Sequence, residues 1–404
     1  MAQPLLTRGL RRWTRTPLLG RIAVIYALSR LVTTGLLALA ASQSSPLSRF
    51  GAHPGLADYV VGWDGQWYWT VAVFGYPSVL PVDASGQVTE NAWAFMPVYA
   101  YLANAVGFGD WGRGALLVSL VAGFGACVSL HRLLRPRIGE SGALWAVSFF
   151  AFGPLAALFQ VGYAESLFVL LLLVALDLVA RRRYAPLYAI IPVMGFTRPG
   201  VLAFALFLGL HGITRWRHRD AEPLRGREVV RIVALGALAT AVGFAWQVIA
   251  AVVTGDPGAY LKTELSWRRN WLADESAVFV PFEGFVRGAG FWAGRWGLTE
   301  GAGWLVLALL VVAAAWLLLR SRAVRALGGD IRLWSASYLL YLLAVFFPQS
   351  STFRLLFPLT PLAGALAVPR SRGYRCVVLL VSVLLQGVWI HEMYGLAQTY
   401  WQVP

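Results

Sequence analysis

Charge is what this sequence has least of. Only 13% of its 404 residues are Asp, Glu, Lys or Arg, and 58% are hydrophobic, whereas a soluble globular chain carries about 25% charged residues. A water-soluble globule is excluded. Lysine is nearly missing: Lys262 is the only one, against many arginines, alanines, glycines and leucines, a bias that points to a GC-rich bacterial genome. The two cysteines, Cys127 and Cys376, both lie in apolar runs and imply neither a disulfide framework nor a zinc pattern. The five histidines, His53, His131, His211, His218 and His391, are scattered and form no ligand cluster, so no protein metal site is expected. No internal repeat and no low-complexity linker interrupts the chain.

What fills it instead is a succession of apolar runs of about 17–25 residues, the length that crosses a bilayer. The expected fold is an all-α polytopic membrane protein, a single domain over 1–404 with about eleven transmembrane helices. The net charge of +15 comes from arginine clusters between the runs, as the positive-inside rule predicts for cytoplasmic loops, and not from a nucleic-acid surface. Arg8, Arg11, Arg12 and Arg15 precede the run 20–42, which is too long for a signal-peptide core and contains Arg30, so an uncleaved first span is expected. Further spans are expected near 113–131, 141–160, 165–180, 184–214 (interrupted), 232–253, 303–319, 332–348, 354–368 and 374–390. The short apolar segment 93–107 should stay on the outer side. Alternation then puts two long loops outside, 43–111 and 254–302, the second with Tyr260, Lys262, Glu264, Trp267, Arg268, Arg269 and Trp271.

The first outer loop holds the stretch around which the reading turns, Gly62-Trp63-Asp64-Gly65-Gln66-Trp67-Tyr68. A helix starting here puts Asp64, Trp67, Tyr68 and Val71 on one face, a carboxylate beside aromatics that can lie on lipid. The plainer alternative makes Asp64 a helix N-cap. Glu165 stands at the next outer turn, as a first-turn carboxylate favoured by the helix dipole or as part of a site. Arg198 falls in Phe196-Thr197-Arg198-Pro199-Gly200, where the proline breaks the helix, and Arg354 opens a later span. Such arginines suit a phosphate; the alternative is that they snorkel to headgroups. Arg30, inside the first span, needs a partner whether functional or structural. Asp177 is expected to pair with nearby arginines. A carboxylate next to arginines at a lipid surface suits group transfer from a lipid phosphate, the acid taking a proton and the cations holding the leaving group.

In order, Trp63-Asp64-Gly65-Gln66-Trp67-Tyr68 with Gly75-Tyr76-Pro77, Phe95-Met96-Pro97-Val98-Tyr99, Tyr163-Ala164-Glu165-Ser166-Leu167-Phe168 and Thr197-Arg198-Pro199-Gly200 resemble the motifs of the PIG-V-like mannosyltransferases, the GPI mannosyltransferase II family and its bacterial relatives. The resemblance covers roughly 60–210, with Phe353-Arg354 a weaker later match, and departs at Met96, where an aromatic is usual. It implies a GT-C bundle whose first extracytoplasmic loop is functional, in a bacterial plasma membrane with the site facing outward. The implied reaction is inverting transfer of mannose from polyprenyl-phosphate-mannose to a lipid, glycan or protein hydroxyl, with Asp64 as general base. Trp63, Trp67, Tyr68, Glu165, Arg198, Arg354 and Arg30 are the candidate substrate-binding residues. No cofactor and no metal is called for, since arginines can neutralise a lipid monophosphate and the outer loops carry no Asp-x-Asp. The alternatives are a GT-C transferase of another lipid-linked sugar such as a pentose, a protein O-mannosyltransferase, and a lipid-linked sugar transporter, which would more often show two related halves.

Overall fold

A computed structural model describes residues 16–271, 279–398 and 404; the basic cluster at 8–15 lies outside the described residues. The described chain is helical. In order it forms α1 (Leu18–Gln43), α2 (Leu56–Val60), α3 (Asp64–Phe74), α4 (Pro97–Val106), α5 (Trp111–Ala151), α6 (Glu165–Ala180), α7 (Leu187–Gly195), α8 (Val201–Arg217), α9 (Gly226–Thr254), α10 (Ala259–Arg269), α11 (Glu283–Arg295), α12 (Glu300–Arg320), α13 (Arg322–Arg325), α14 (Gly329–Val345), α15 (Thr352–Leu355), α16 (Ala363–Ala367) and α17 (Arg372–Ile390). Five helices among the described residues are long and apolar enough to cross a membrane: α1, α5, α9, α12 and α17 with the π-helical turn that follows it. This is an integral membrane protein. Its lipid-facing surface is plainest on α12, where Leu305, Leu309, Val312 and Trp316 are all exposed.

The remaining expected spans are shorter or broken, for local reasons. The runs 113–131 and 141–160 are joined in α5, which continues through Arg132 and Pro136 and kinks at Gly139, whose φ of 73° leaves the helix. The second run then stops at Ala151, because Pro154 cannot supply the next backbone N–H, and a 3-10 turn follows at Ala156–Phe159. The expected span 354–368 divides into α15, a 3-10 turn at Phe357–Leu362 containing Pro358 and Pro361, and α16. The break at 196–200 falls where expected, between α7 and α8. The first long loop, 43–111, is helical in α2 to α4, and the described part of the second, 254–302, carries α10 and α11.

α5 is the axis of the bundle, packed by α1, α4, α6 and α16, while α8 lies between α9 and α14. From Trp111 to Arg132 it runs roughly 32 Å at 1.5 Å per residue, so its ends mark the two ends of the bundle. At the Arg132 end, Asp177 bridges Arg132 at 2.9 Å and Arg181 at 2.7 Å, as expected of it, and Glu140 takes Arg21 and Arg135 at 3.0 and 2.9 Å. At the Trp111 end, the Trp111 ring packs with Tyr68, Phe95 and Tyr99 of the first loop. The basic clusters and the conspicuous motifs therefore occupy opposite ends.

Candidate active site

The start of α3 is shaped by backbone crowding. The Val60 carbonyl at the end of α2 accepts from Gly162 N at 2.8 Å. A Cβ on Gly162 would lie 2.6 Å from that oxygen and 2.9 Å from the Trp111 ring, and one on Gly65 would lie 2.7 Å from it. Two glycines thus let three segments meet at one oxygen, bringing the Gly162–Glu165 turn against Asp64. Ser119 Oγ donates to Val161 O at 2.8 Å and fixes the same turn to α5. Gly162→Ala is expected to cost about 1–3 kcal/mol through overpacking and to lose activity with it. Parallel melting and transfer assays check this; unchanged values in both would mean the contact yields.

Between these segments Trp63 has φ 53° and ψ −122°, a conformation that non-glycine residues rarely adopt and that surrounding structure must hold. Here the indole N–H donates to Met393 O at 2.9 Å and the ring lies under the Arg49 guanidinium. Asp64 opens α3 and is not its N-cap; the capping position is Trp63, with no side-chain cap bond. The Asp64 carboxylate turns instead to Arg354, which donates to it through Nη1.

That contact opens a chain of four charges. The same Arg354 nitrogen lies 3.4 Å from Glu165 Oε1, which in turn lies 3.5 Å from Arg198 Nε. Each comes from a different place in the fold. Asp64 and Glu165 begin α3 and α6. Arg198 sits in the turn before α8, where Val98 N donates to Phe196 O at 3.0 Å. Arg354 is on α15, pinned by α14 through Tyr338 Oη to Leu355 O at 2.8 Å and Trp334 Nε1 to Pro358 O at 2.9 Å. The Arg354 guanidinium also faces the Tyr163 ring at 5.1 Å.

Exposure separates the four. The side chains of Glu165, Arg198 and Arg354 are 2%, 8% and 10% exposed, and that of Asp64 is 20%. Asp64 is the most exposed member of the four; Glu165 is the buried counter-ion that spaces the two arginines. Neither arginine snorkels. The quartet balances in charge but not in hydrogen bonds, since Arg198 Nη1 and Arg354 Nε find no acceptor among the described residues. Burial pushes the Asp64 carboxyl above the usual carboxylate range, with Arg354 pulling the other way.

No family model matches this chain, and no curated protein matches it. Among solved structures, an oligosaccharyltransferase of the archaeon Archaeoglobus fulgidus is similar. Its apo form aligns over 95% of this chain with 13% identity and a TM-score of 0.42. The same enzyme with zinc and sulfate aligns over 90% with 14% identity and a TM-score of 0.39, and its complex with an inhibitory peptide and a dolichol-phosphate over 93% with 15% and 0.39. The present chain spans 53–56% of the length of these chains.

The other residues singled out from sequence are placed differently. Arg30 is not brought to the quartet: its guanidinium donates to Ala151 O at 2.8 Å, Ala156 O at 2.7 Å and Gln160 Oε1 at 3.2 Å. It closes the carbonyls left open where α5 stops, a structural use that consumes its fork. Trp63 and Tyr68 are buried, Tyr68 edge-on to Phe95 and Tyr99. Trp67 remains half-buried, stacked on Phe95 at 5.6 Å and tilted against Trp267 at 5.7 Å. Two neighbours of the quartet were not singled out as site residues from sequence: Tyr163, which lies beneath Arg354 and belongs to the Glu165 motif, and Tyr394, which carried no signal and whose ring packs with Tyr59 at 5.1 Å. Among the described residues no group of three or more His, Cys, Asp or Glu is placed to hold a metal.

Proposed function

We propose that the protein is an inverting membrane glycosyltransferase that moves a sugar, mannose by family resemblance, from a polyprenyl-phosphate donor to a hydroxyl acceptor on the outer face of a bacterial plasma membrane. The observation that carries this reading is the convergence of Asp64, Glu165, Arg198 and Arg354, from four separate motifs, into one quartet at the end of the bundle opposite the basic clusters. Transfer balances on these residues. The acceptor O–H proton passes to Asp64 as the acceptor oxygen bonds to the sugar carbon from the face opposite the leaving group. The carbon–oxygen bond to phosphate breaks, and its electron pair stays on the phosphate, whose charge grows from one negative to two. Asp64 loses its charge as the phosphate gains one, so the arginines hold a constant sum of negative charge while its position moves toward the leaving group. The unpaired N–H groups on Arg198 and Arg354 are spare donors for that anion.

The experiment is to incubate membranes containing the protein with labelled polyprenyl-phosphate-mannose and to look for labelled product other than donor and free sugar. Product with the wild type and about 10²–10⁴-fold less with Asp64→Asn is expected; labelled pentose transferred in place of mannose would reassign the donor. Orientation is tested separately by single cysteines at exposed Ser85 in the first loop and exposed Ala221 at the basic end, in a background of Cys127→Ala and Cys376→Ser. A membrane-impermeant thiol reagent on intact cells should label the first and spare the second. The reverse pattern would place the quartet in the cytoplasm.

A further inference from the structure

Beside the quartet the second outer loop brings a third carboxylate, Glu264. It lies on α10, where Tyr260, Glu264 and Trp267 at spacings of four and three share one face. α10 is anchored by the rest of its circumference: Thr263, Leu265, Ser266 and Arg268 are buried, and Asn91 Nδ2 donates to Thr263 Oγ1 at 2.9 Å. The free face meets α3, with the Trp267 ring against Trp67 at 5.7 Å and Phe95 at 6.1 Å. Tyr260 lies one turn before Glu264 on that face, and Tyr341 of α14 is close enough to interact with its charge. Glu264 is exposed on that face. Desolvation by the neighbouring protein pushes its carboxyl up to about 7, Tyr260 opposes the rise and the charge of Asp64 adds to it. Glu264 and Asp64 therefore flank the Trp67–Trp267 contact, Glu264 one turn before Trp267 on α10 and Asp64 one turn before Trp67 on α3, and among the described residues no arginine bridges Glu264 as Arg354 bridges Asp64.

We propose that Glu264, with the Trp67–Trp267 ring pair, forms a sugar-binding subsite next to Asp64. An exposed carboxylate with no bridging arginine among the described residues keeps acceptor capacity for a pair of neighbouring hydroxyls, and a half-buried indole offers an apolar face for the C–H side of a sugar ring; a few placed polar groups among aromatics are the usual make-up of a small-ligand site. A simple lipid alcohol or a serine side chain offers no such pair of hydroxyls. The proposal rests on the transfer reading for its catalytic meaning, but the binding itself does not.

The test uses the full-length protein in nanodiscs without donor and saturation-transfer NMR with methyl α-mannopyranoside, methyl β-glucopyranoside and, as a non-sugar alcohol, N-acetyl-serine amide. Expected are transfer signals from a glycoside and none from the serine amide, lost in Glu264→Ala and Trp267→Ala and weakened in Glu264→Gln, with melting temperatures confirming the fold of each. Glycoside signals unchanged in all three variants, or absent from the wild type, would overturn the subsite. In transfer assays Glu264→Gln should raise one substrate KM by roughly 10-fold, the scale of losing hydrogen bonds to a charged group. A rise for the acceptor alone makes the subsite the acceptor's, and a rise for the donor alone makes it the transferred sugar's. Neither KM moving would remove Glu264 from the site. Failure of the transfer reading is distinguishable, because it would leave glycoside binding intact while no labelled product forms.

Discussion

Asp64→Asn is expected to lower transfer by about 10²–10⁴-fold, the usual worth of a positioned acid or base, while the protein still assembles in the membrane. The substitution keeps the size of the side chain and one oxygen to accept from Arg354, so the start of α3 has no steric reason to move. It removes the lone pair that would take the acceptor proton. It also leaves the quartet with one carboxylate for two arginines, so donor phosphate should bind no more weakly, and the loss should fall on kcat and not on donor KM. The pH dependence gives an independent reading. A base works only when unprotonated, and burial raises the Asp64 carboxyl above its ordinary range. Activity should therefore fall on the acid side, along a limb lying above the pH at which a solvated carboxylate titrates. Arg354 opposes the rise, so in a variant such as Arg354→Gln any residual activity should show that limb at still higher pH. Near wild-type turnover in Asp64→Asn would leave Asp64 as a partner for Arg354 and nothing more.

Replacing Arg354 by lysine should be nearly as damaging, and Arg198→Lys less so. Arg354 Nη1 alone serves two carboxylates, Asp64 and Glu165, while its plane lies over Tyr163. An ammonium on a shorter stem cannot put one donor between both acids while a planar, delocalised cation covers the Tyr163 ring. Breaking a buried pair by taking away one partner costs about 3–5 kcal/mol; a lysine that keeps the charge but misplaces it should recover part of that. Arg198 meets only Glu165 within the quartet, and a lysine there has one contact to restore. If the arginines hold the leaving phosphate, kcat should fall where the contact strengthens toward the transition state, and donor KM should rise where it is equal in both states. Kinetics at varied donor and varied acceptor separate these. Unchanged donor kinetics in both lysine variants would take the arginines out of phosphate binding and leave them as struts of the fold.

Much of this was legible in the sequence because membrane chemistry writes coarse signals. Apolar runs and arginine clusters are read one residue at a time, and they announce an all-helical membrane protein with its positive charges gathered at one end. The helix starting at Asp64, the break at Arg198-Pro199 and the helix starting at Glu165 were equally local, set by glycine, proline and the onset of an apolar run. Span number was not. Whether Gly139 kinks a continuous helix or ends it, and whether Pro358 and Pro361 merely bend a span or split it, depends on how neighbours satisfy the freed backbone groups. Arg30 makes the same point: from sequence it is an intramembrane cation in want of a partner, and only packing reveals that the partners are the carbonyls where α5 stops. The quartet is the clearest case. Each of its members sits at a helix start or break that the sequence marks, but their order along the chain does not say that 64, 165, 198 and 354 meet. That is decided by one carbonyl, Val60 O, wedged against Gly65 and Gly162, and by the pinning of α15 under α14, contacts between residues 5 to 102 positions apart whose geometry exists only once the bundle has closed.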